Sequence, residues 1–146
     1  GCNVEQMDAG QMLDASQQSG PYLQYTVLRI KKLLEQSNRT AAFEGQPDPQ
    51  VLSKLPKELK FALYEVSRFP GILSDSVESR APHILAEYLY NICSLFNAFY
   101  SQGKKLERII DMSPDQQYVY GEVLNAISTV IKKGMAILNI DIPEKM

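Results

Sequence analysis

Apolar residues recur along most of the chain at intervals of three and four, the spacing of one face of an α-helix. Strand-like alternation of apolar and polar residues is missing, as are Asn-Gly and Asp-Gly hairpin turns. The pattern therefore predicts an all-α fold, a bundle of five or six helices. The predicted helices cover residues 4–15, 21–36, 56–68, a short stretch around 72–77, 81–102 and 114–139.

Proline, glycine and polar residues indicate where these helices stop. A polar break over residues 16–20 precedes Pro21, which suits the first turn of a helix because its missing N–H needs no partner there. Residues 38–49 form the clearest loop, and Phe69-Pro70-Gly71 predicts a sharp turn. A capped start of the last helix is predicted from Ser113, Pro114 and Gln116.

The apolar positions form rows that predict the core. After Pro21 the row is Leu23, Val27, Ile30 and Leu34, and in the longest helix it is Leu85, Leu89, Ile92, Phe96 and Phe99. The last helix is expected to bury Val123, Ile127, Val130, Ile131 and Leu138. Gly121 and Gly134 weaken that helix by roughly 1 kcal/mol each relative to alanine, unless close packing requires them.

Composition predicts one globular domain over residues 1–146, with 45% hydrophobic and 22% charged residues. A net charge of −2 argues against a general polyanion-binding protein, such as one that coats DNA. Two cysteines, of which Cys93 is expected in the core, favour a reducing compartment and a cytoplasmic protein. Neither a membrane-spanning stretch nor a signal peptide is recognisable. The abrupt start without Met suggests either a processed chain or a fragment excised from a longer protein, and we favour the fragment.

Catalytic chemistry is poorly supported by the sequence. His83 is the single histidine, it follows Pro82 at a predicted helix start, and no nucleophile or carboxylate is spaced as its partner. We therefore predict no catalytic residue and no metal site. A glycine-rich phosphate loop is also missing, so no cofactor is expected in this chain.

Two polar-aromatic stripes lie beside the core rows. One stripe lies on the helix after Pro21 and consists of Tyr22, Tyr25, Arg29 and Lys32, with Gln24 at its flank. The other lies on the longest helix and consists of Tyr90, Cys93, Asn97 and Tyr100, with Lys104 and Lys105 beyond it. These residues either border the core with their polar tips in water or form a platform for unpaired RNA bases. In the second interpretation the rings stack on bases, Arg29 contacts a base or phosphate, and Asn97 and Gln24 read a base edge.

Four ordered stretches resemble the DALR anticodon-binding domain at the C-terminus of arginyl-tRNA synthetases. They are GPYLQYTVLRI from Gly20, RFPGIL from Arg68, APHILAEYLY with FNAFY from Ala81 and Phe96, and LNIDIPEKM from Leu138. The chain departs from the family in Thr26-Val27-Leu28, in Asn139, and in lacking arginines at the start of the last helix. The last departure puts RNA-backbone contacts there in doubt.

The resemblance implies that the full-length enzyme, a class I synthetase, joins arginine to its tRNA with ATP and Mg²⁺, and that a catalytic domain in cis lies outside this chain. It also implies that the helical domain identifies the tRNA by the middle anticodon base, usually a cytosine. The RNA-binding residues it implies are Tyr22, Gln24, Tyr25, Arg29, Tyr100 and Met146, to which the stripe adds Asn97. Two alternatives remain: the related domain of another synthetase, and a helical module that binds a protein through its tyrosine face.

Overall fold

Six α-helices and one short 3₁₀ turn make up most of the chain that the structure describes. The computed structural model describes residues 9–36, 46, 48–103 and 108–145, with side chains from residue 20 onwards. Within these ranges there is no strand, which confirms the predicted all-α class. The helices are α1 (Ala9–Gln36), α2 (Pro49–Ser53), α3 (Lys57–Ser67), α4 (Phe69–Glu78), α5 (Pro82–Tyr100) and α6 (Pro114–Ile137), with the 3₁₀ turn at Ile109–Asp111 before α6.

Helix α1 is longer than the sequence predicts. The expected break over residues 16–20 is wrong, because the helix runs through Pro21 without interruption. Proline inside a helix removes one backbone hydrogen bond, but the residues before it include alanine and several glutamines, which are good helix formers. The predicted first helix thus joins the second from residue 9 on, and residues 4–8 lie outside the described part.

The connection between α3 and α4 also differs from the expectation. Phe69, Pro70 and Gly71 lie in the first helical turn of α4 rather than in a turn between helices, and Arg68 alone separates α3 from α4. The amide of Arg68 donates to Glu65 at 3.0 Å and that of Ile72 donates to Arg68 at 3.0 Å. Proline is tolerated here because amides in the first helical turn have no intrahelical acceptor.

The apolar rows predicted from the sequence form much of the core. Helix α5 lies at its centre and packs against α1, α3, α4 and α6. Its predicted row is buried throughout, and Tyr88 and Cys93 are buried beside it. In α1 the row is buried except for Leu34, which is half-buried, and Leu138 of the last row is also half-buried.

The two ends of α6 are fixed by local hydrogen bonds. At its start the Ser113 amide donates to Gln116 Oε1 at 3.1 Å and the Gln116 amide donates to Ser113 Oγ at 3.4 Å, the predicted capping box. At its end Asn139 adopts a left-handed φ of 59°, which Asn tolerates better than most residues. The Ile140 amide then donates to the Met135 carbonyl at 2.8 Å, so the tail turns back towards the bundle.

Gly134 is needed where α6 crosses α5. A Cβ at this position would lie 2.5 Å from Leu89 Cδ1, and Leu89 is fully buried. We expect Gly134→Ala to destabilise the protein by about 1–3 kcal/mol in urea unfolding, less the gain in helix propensity. Gly71→Ala is the matched control, because a Cβ on this exposed helical glycine meets no atom within 4 Å. Equal unfolding free energies for the two variants would contradict the close-packing explanation.

Candidate functional site

Helices α1 and α5 lie side by side and bring the two predicted stripes together. Tyr22 of α1 pairs with Tyr90 of α5, with ring centroids 5.0 Å apart. Seven residues further along α1, Arg29 meets Tyr100 near the end of α5. Because the contacts advance along both helices in the same sense, the helices run in the same direction. Apart from the fully buried Cys93, and from Lys104 and Lys105, which lie outside the described residues, the stripes therefore form one continuous surface.

Arg29 packs its guanidinium against two tyrosine rings from different helices. Its Cζ lies 4.3 Å from the ring centroid of Tyr25 and 4.4 Å from that of Tyr100, well within the range of cation–π contacts. Tyr25 remains 49% exposed and Tyr100 41% exposed. We call Tyr25, Arg29 and Tyr100 the tyrosine–arginine cluster. It presents ring surface to solvent around a cation that is itself half-buried.

Asn97 lies beneath this cluster, and both the oxygen and the nitrogen of its side-chain amide form hydrogen bonds. Its Oδ1 accepts from Arg29 Nη1 at 2.6 Å. Its Nδ2 donates to Thr26 Oγ1 and to the Cys93 carbonyl, each at 2.9 Å. The network links α1 to α5 directly below the exposed rings.

Of two further predicted residues, only Tyr22 contacts the start of the same surface. Tyr22 is half-buried against Tyr90, which is 47% exposed. Gln24 Nε2 donates to the Asp141 carbonyl at 2.8 Å and so ties the C-terminal tail to α1. Met146, also predicted here, lies outside the described residues. The structure thus brings five of the predicted residues onto one surface, whereas Gln24 contacts the C-terminal tail. The roles of all six in binding stay predictions.

The cluster is a local cationic region on a chain of net charge −2. Hydrogen bonding by Arg29, then its positive charge, and to a smaller extent the charge of Lys32 lower the pKa of the Tyr25 phenol below its usual value of 10.0. Lys32 is exposed on the same face of α1. This surface therefore favours negative charge, as the phosphates of a nucleic acid would supply.

Cys93 is enclosed in the core, as predicted, and is a free thiol. Burial raises the pKa of its thiol to about 12, although a hydrogen bond with Thr26 partly opposes the shift. Burial likewise raises the pKa of Tyr88, whose hydroxyl donates to the Glu65 carbonyl, from 10.0 to about 12.

These buried groups predict a loss of stability at alkaline pH. The unfolded thiol ionises near pH 9 while the folded thiol stays neutral, so stability is complete below pH 9 and falls as the pH rises towards 12. We expect a slope approaching about 1.4 kcal/mol per pH unit, measured by urea unfolding in reductant. Between pH 9 and 10 Cys93 contributes more of this loss than Tyr88, because unfolded Tyr88, with a pKa of 10.0, is at most half ionised there. An unchanged slope there in Cys93→Ala would contradict this assignment.

Sequence reasoning missed Thr26. It is fully buried and lies between the stripe and the core row, where its hydroxyl donates to the Tyr22 carbonyl at 2.8 Å. A polar residue on an apolar helix face was the available signal. His83 lies near the start of α5, as predicted. Among the described residues no three His, Cys, Asp or Glu side chains are grouped as metal ligands, and no helix is long and apolar enough to cross a membrane.

Comparisons with known proteins agree with the helical architecture. The family model described as the DALR anticodon binding domain matches residues 23–146. The chain is 30% identical over 130 residues to the arginine–tRNA ligase of Halothermothrix orenii, covering 88% of this chain and 21% of that one. It is 29% identical over 135 residues to the arginine–tRNA ligase of Pyrobaculum arsenaticum, covering 92% of this chain and 20% of that one.

A solved structure shows the same fold. The chain superimposes on Thermus thermophilus arginyl-tRNA synthetase with a TM-score of 0.69, at 24% identity, over 86% of this chain and 21% of the other. The chain spans about a fifth of the length of the curated relatives that it matches.

Proposed function

Because the chain belongs to the DALR anticodon-binding domain family, we propose that it binds the anticodon loop of an arginine tRNA through the tyrosine–arginine cluster. The packing of Arg29 against Tyr25 and Tyr100 carries this proposal. Unpaired bases are recognised by stacking on aromatic rings and by hydrogen bonds to their edges. The cluster offers exposed ring surface and a fixed set of donors in one place.

The geometry favours stacking on the tyrosines and edge recognition by Arg29. The two rings cover much of the flat surface of the guanidinium, so a base meets its N–H edge more readily than its face. Cytosine presents two neighbouring acceptors on its Watson–Crick edge, the ring N3 and O2. Uracil carries an N–H donor at this ring position, and this donor would face the N–H donors of the guanidinium. A guanidinium held at its edge therefore prefers cytosine.

The surrounding charge supports contact with the RNA backbone. Arg29 and Lys32 both lower the pKa of the Tyr25 phenol, so both cations lie close to the exposed ring. Phosphate contacts release counterions, and binding through this surface should weaken as salt rises. A tyrosine-centred protein interface, the alternative function, would respond less to salt.

The complete protein is proposed to be an arginine–tRNA ligase acting in the cytoplasm. Its catalytic part would lie in cis outside this chain, consistent with the relatives being about five times longer. That part would bind ATP and Mg²⁺ for the ligation that the relatives' names describe. The chain itself would supply tRNA identity and carry no catalytic residue.

Substitutions at Tyr25 test whether the ring acts by stacking. Tyr25→Phe keeps the ring and should bind an arginine anticodon stem-loop within about twofold of the unchanged protein, whereas Tyr25→Leu should lose about 1–3 kcal/mol. Fluorescence anisotropy with labelled stem-loop measures both. Tyr64→Leu on α3, where Tyr64 is 64% exposed, is the matched control. If Phe is as damaging as Leu, the hydroxyl matters and stacking is not the mechanism.

A further inference from the structure

We infer that Asn97 is a positioning residue that holds Arg29 in place rather than a group that reads a base, and that Thr26 sets the orientation of its amide. The inference rests on the proposed function, since Arg29 is the group held ready for RNA. It revises the base-reading role suggested for Asn97 by its place in the stripe.

The hydrogen bonds of Asn97 leave it no donor for a ligand. A primary amide has two N–H donors, and both are engaged, one by Thr26 Oγ1 and one by the Cys93 carbonyl. Its oxygen accepts from Arg29 at 2.6 Å, the short distance typical of a charged donor. Reading a base by donation would require breaking bonds inside the protein.

The surroundings allow only one orientation of this amide. If oxygen and nitrogen were exchanged, Oδ1 would face the Cys93 carbonyl, and Nδ2 would face the Arg29 guanidinium. Both contacts would then be between groups of like polarity. The oxygen of Asn97 is thus directed at Arg29 by the atoms on its opposite side.

Thr26 supplies one of those atoms and has a defined direction itself. While the Cys93 thiol is neutral, the single hydroxyl hydrogen of Thr26 is donated to the Tyr22 carbonyl, so towards Asn97 the hydroxyl can only accept. Because Thr26 is fully buried, water does not replace it. The bonds form one directed chain from Arg29 to Asn97, Thr26 and the backbone of α1. That chain fixes a long, flexible arginine before any ligand arrives, which lowers the entropy cost of binding.

The first test needs no RNA. Arg29 lowers the pKa of Tyr25, so the Tyr25 phenol, followed by carbon NMR during a pH titration, reports whether Arg29 stays in place. We expect Asn97→Ala and Thr26→Val to raise the pKa of Tyr25 towards 10.0, and Thr26→Ser, which keeps the hydroxyl, to retain the lowered value. Asn91→Ala, at an exposed asparagine of the same helix, is the control. A lowered pKa that persists in folded Asn97→Ala and Thr26→Val would overturn the inference.

The second test is a double-mutant cycle with the arginine anticodon stem-loop. Asn97→Ala should weaken binding about tenfold in the unchanged protein and have little effect in an Arg29→Ala background. An equal loss in both backgrounds would show that Asn97 contacts RNA itself and would overturn the inference. If Arg29→Ala alone leaves affinity unchanged, the proposed function of this site fails, and the Tyr25 titration still decides the positioning role. Circular dichroism checks that each variant is folded. Thr26→Ser, which keeps the hydroxyl, should bind the stem-loop like the unchanged protein.

Discussion

Replacing Arg29 by alanine is expected to weaken binding of the cognate anticodon stem-loop by about 1–3 kcal/mol. The substitution removes the N–H donors at the edge of the guanidinium. It also removes the cation that packs against the rings of Tyr25 and Tyr100. Arg29→Lys should be nearly as damaging. Lysine carries a point charge but neither the planar group that packs on rings nor the fixed fork of donors.

The control for Arg29 is its near neighbour Lys31. It is exposed on α1 away from the stripe, so Lys31→Ala should change affinity only through general charge. Isothermal titration calorimetry of all three variants at one salt concentration gives the comparison. Unaltered affinity and base preference in Arg29→Ala would refute the role assigned to Arg29.

Phe96→Ala is expected to cause the largest loss of stability, about 3–5 kcal/mol in urea unfolding. Phe96 is fully buried, and its ring centroid lies 6.1 Å from that of Phe99 and 5.9 Å from that of Tyr100. Truncation removes apolar contacts and leaves a cavity beneath the cluster. Tyr100 then loses support, so loop binding should fall even where the variant stays folded.

Phe61→Ala provides the comparison for Phe96. Phe61 is 57% exposed on α3, and its replacement should alter stability by no more than about 0.5 kcal/mol. Similar unfolding free energies for the two variants would contradict the assignment of Phe96 to the core. Intact loop binding by folded Phe96→Ala would contradict its support of Tyr100.

The apolar periodicity predicted the fold class and most of the core because burial follows helical spacing directly. The errors occurred at prolines. In the sequence Pro21 and Pro70 predict a helix boundary or a turn, yet α1 passes through Pro21 and α4 begins at Phe69. Local preference for a break was overridden at Pro21 by a helix whose later turns are anchored in the core by Leu23 and Val27.

The candidate site could be predicted only within each helix. Steps of three and four placed Tyr25 with Arg29, and Asn97 with Tyr100, but not one pair against the other. How α1 and α5 align depends on packing across the whole bundle, which periodicity does not encode. For this reason the contact of Arg29 with Tyr100 and the bond from Asn97 to Thr26 emerged only from the structure.

The most direct test of the account is a titration of this chain with two anticodon stem-loops, one with cytosine and one with uracil at the middle position, at two salt concentrations. We expect tighter binding of the cytosine loop, by about 1–3 kcal/mol, and weaker binding of both loops at higher salt. Equal affinity for the two loops would contradict base recognition by the tyrosine–arginine cluster and leave only attraction to the RNA backbone.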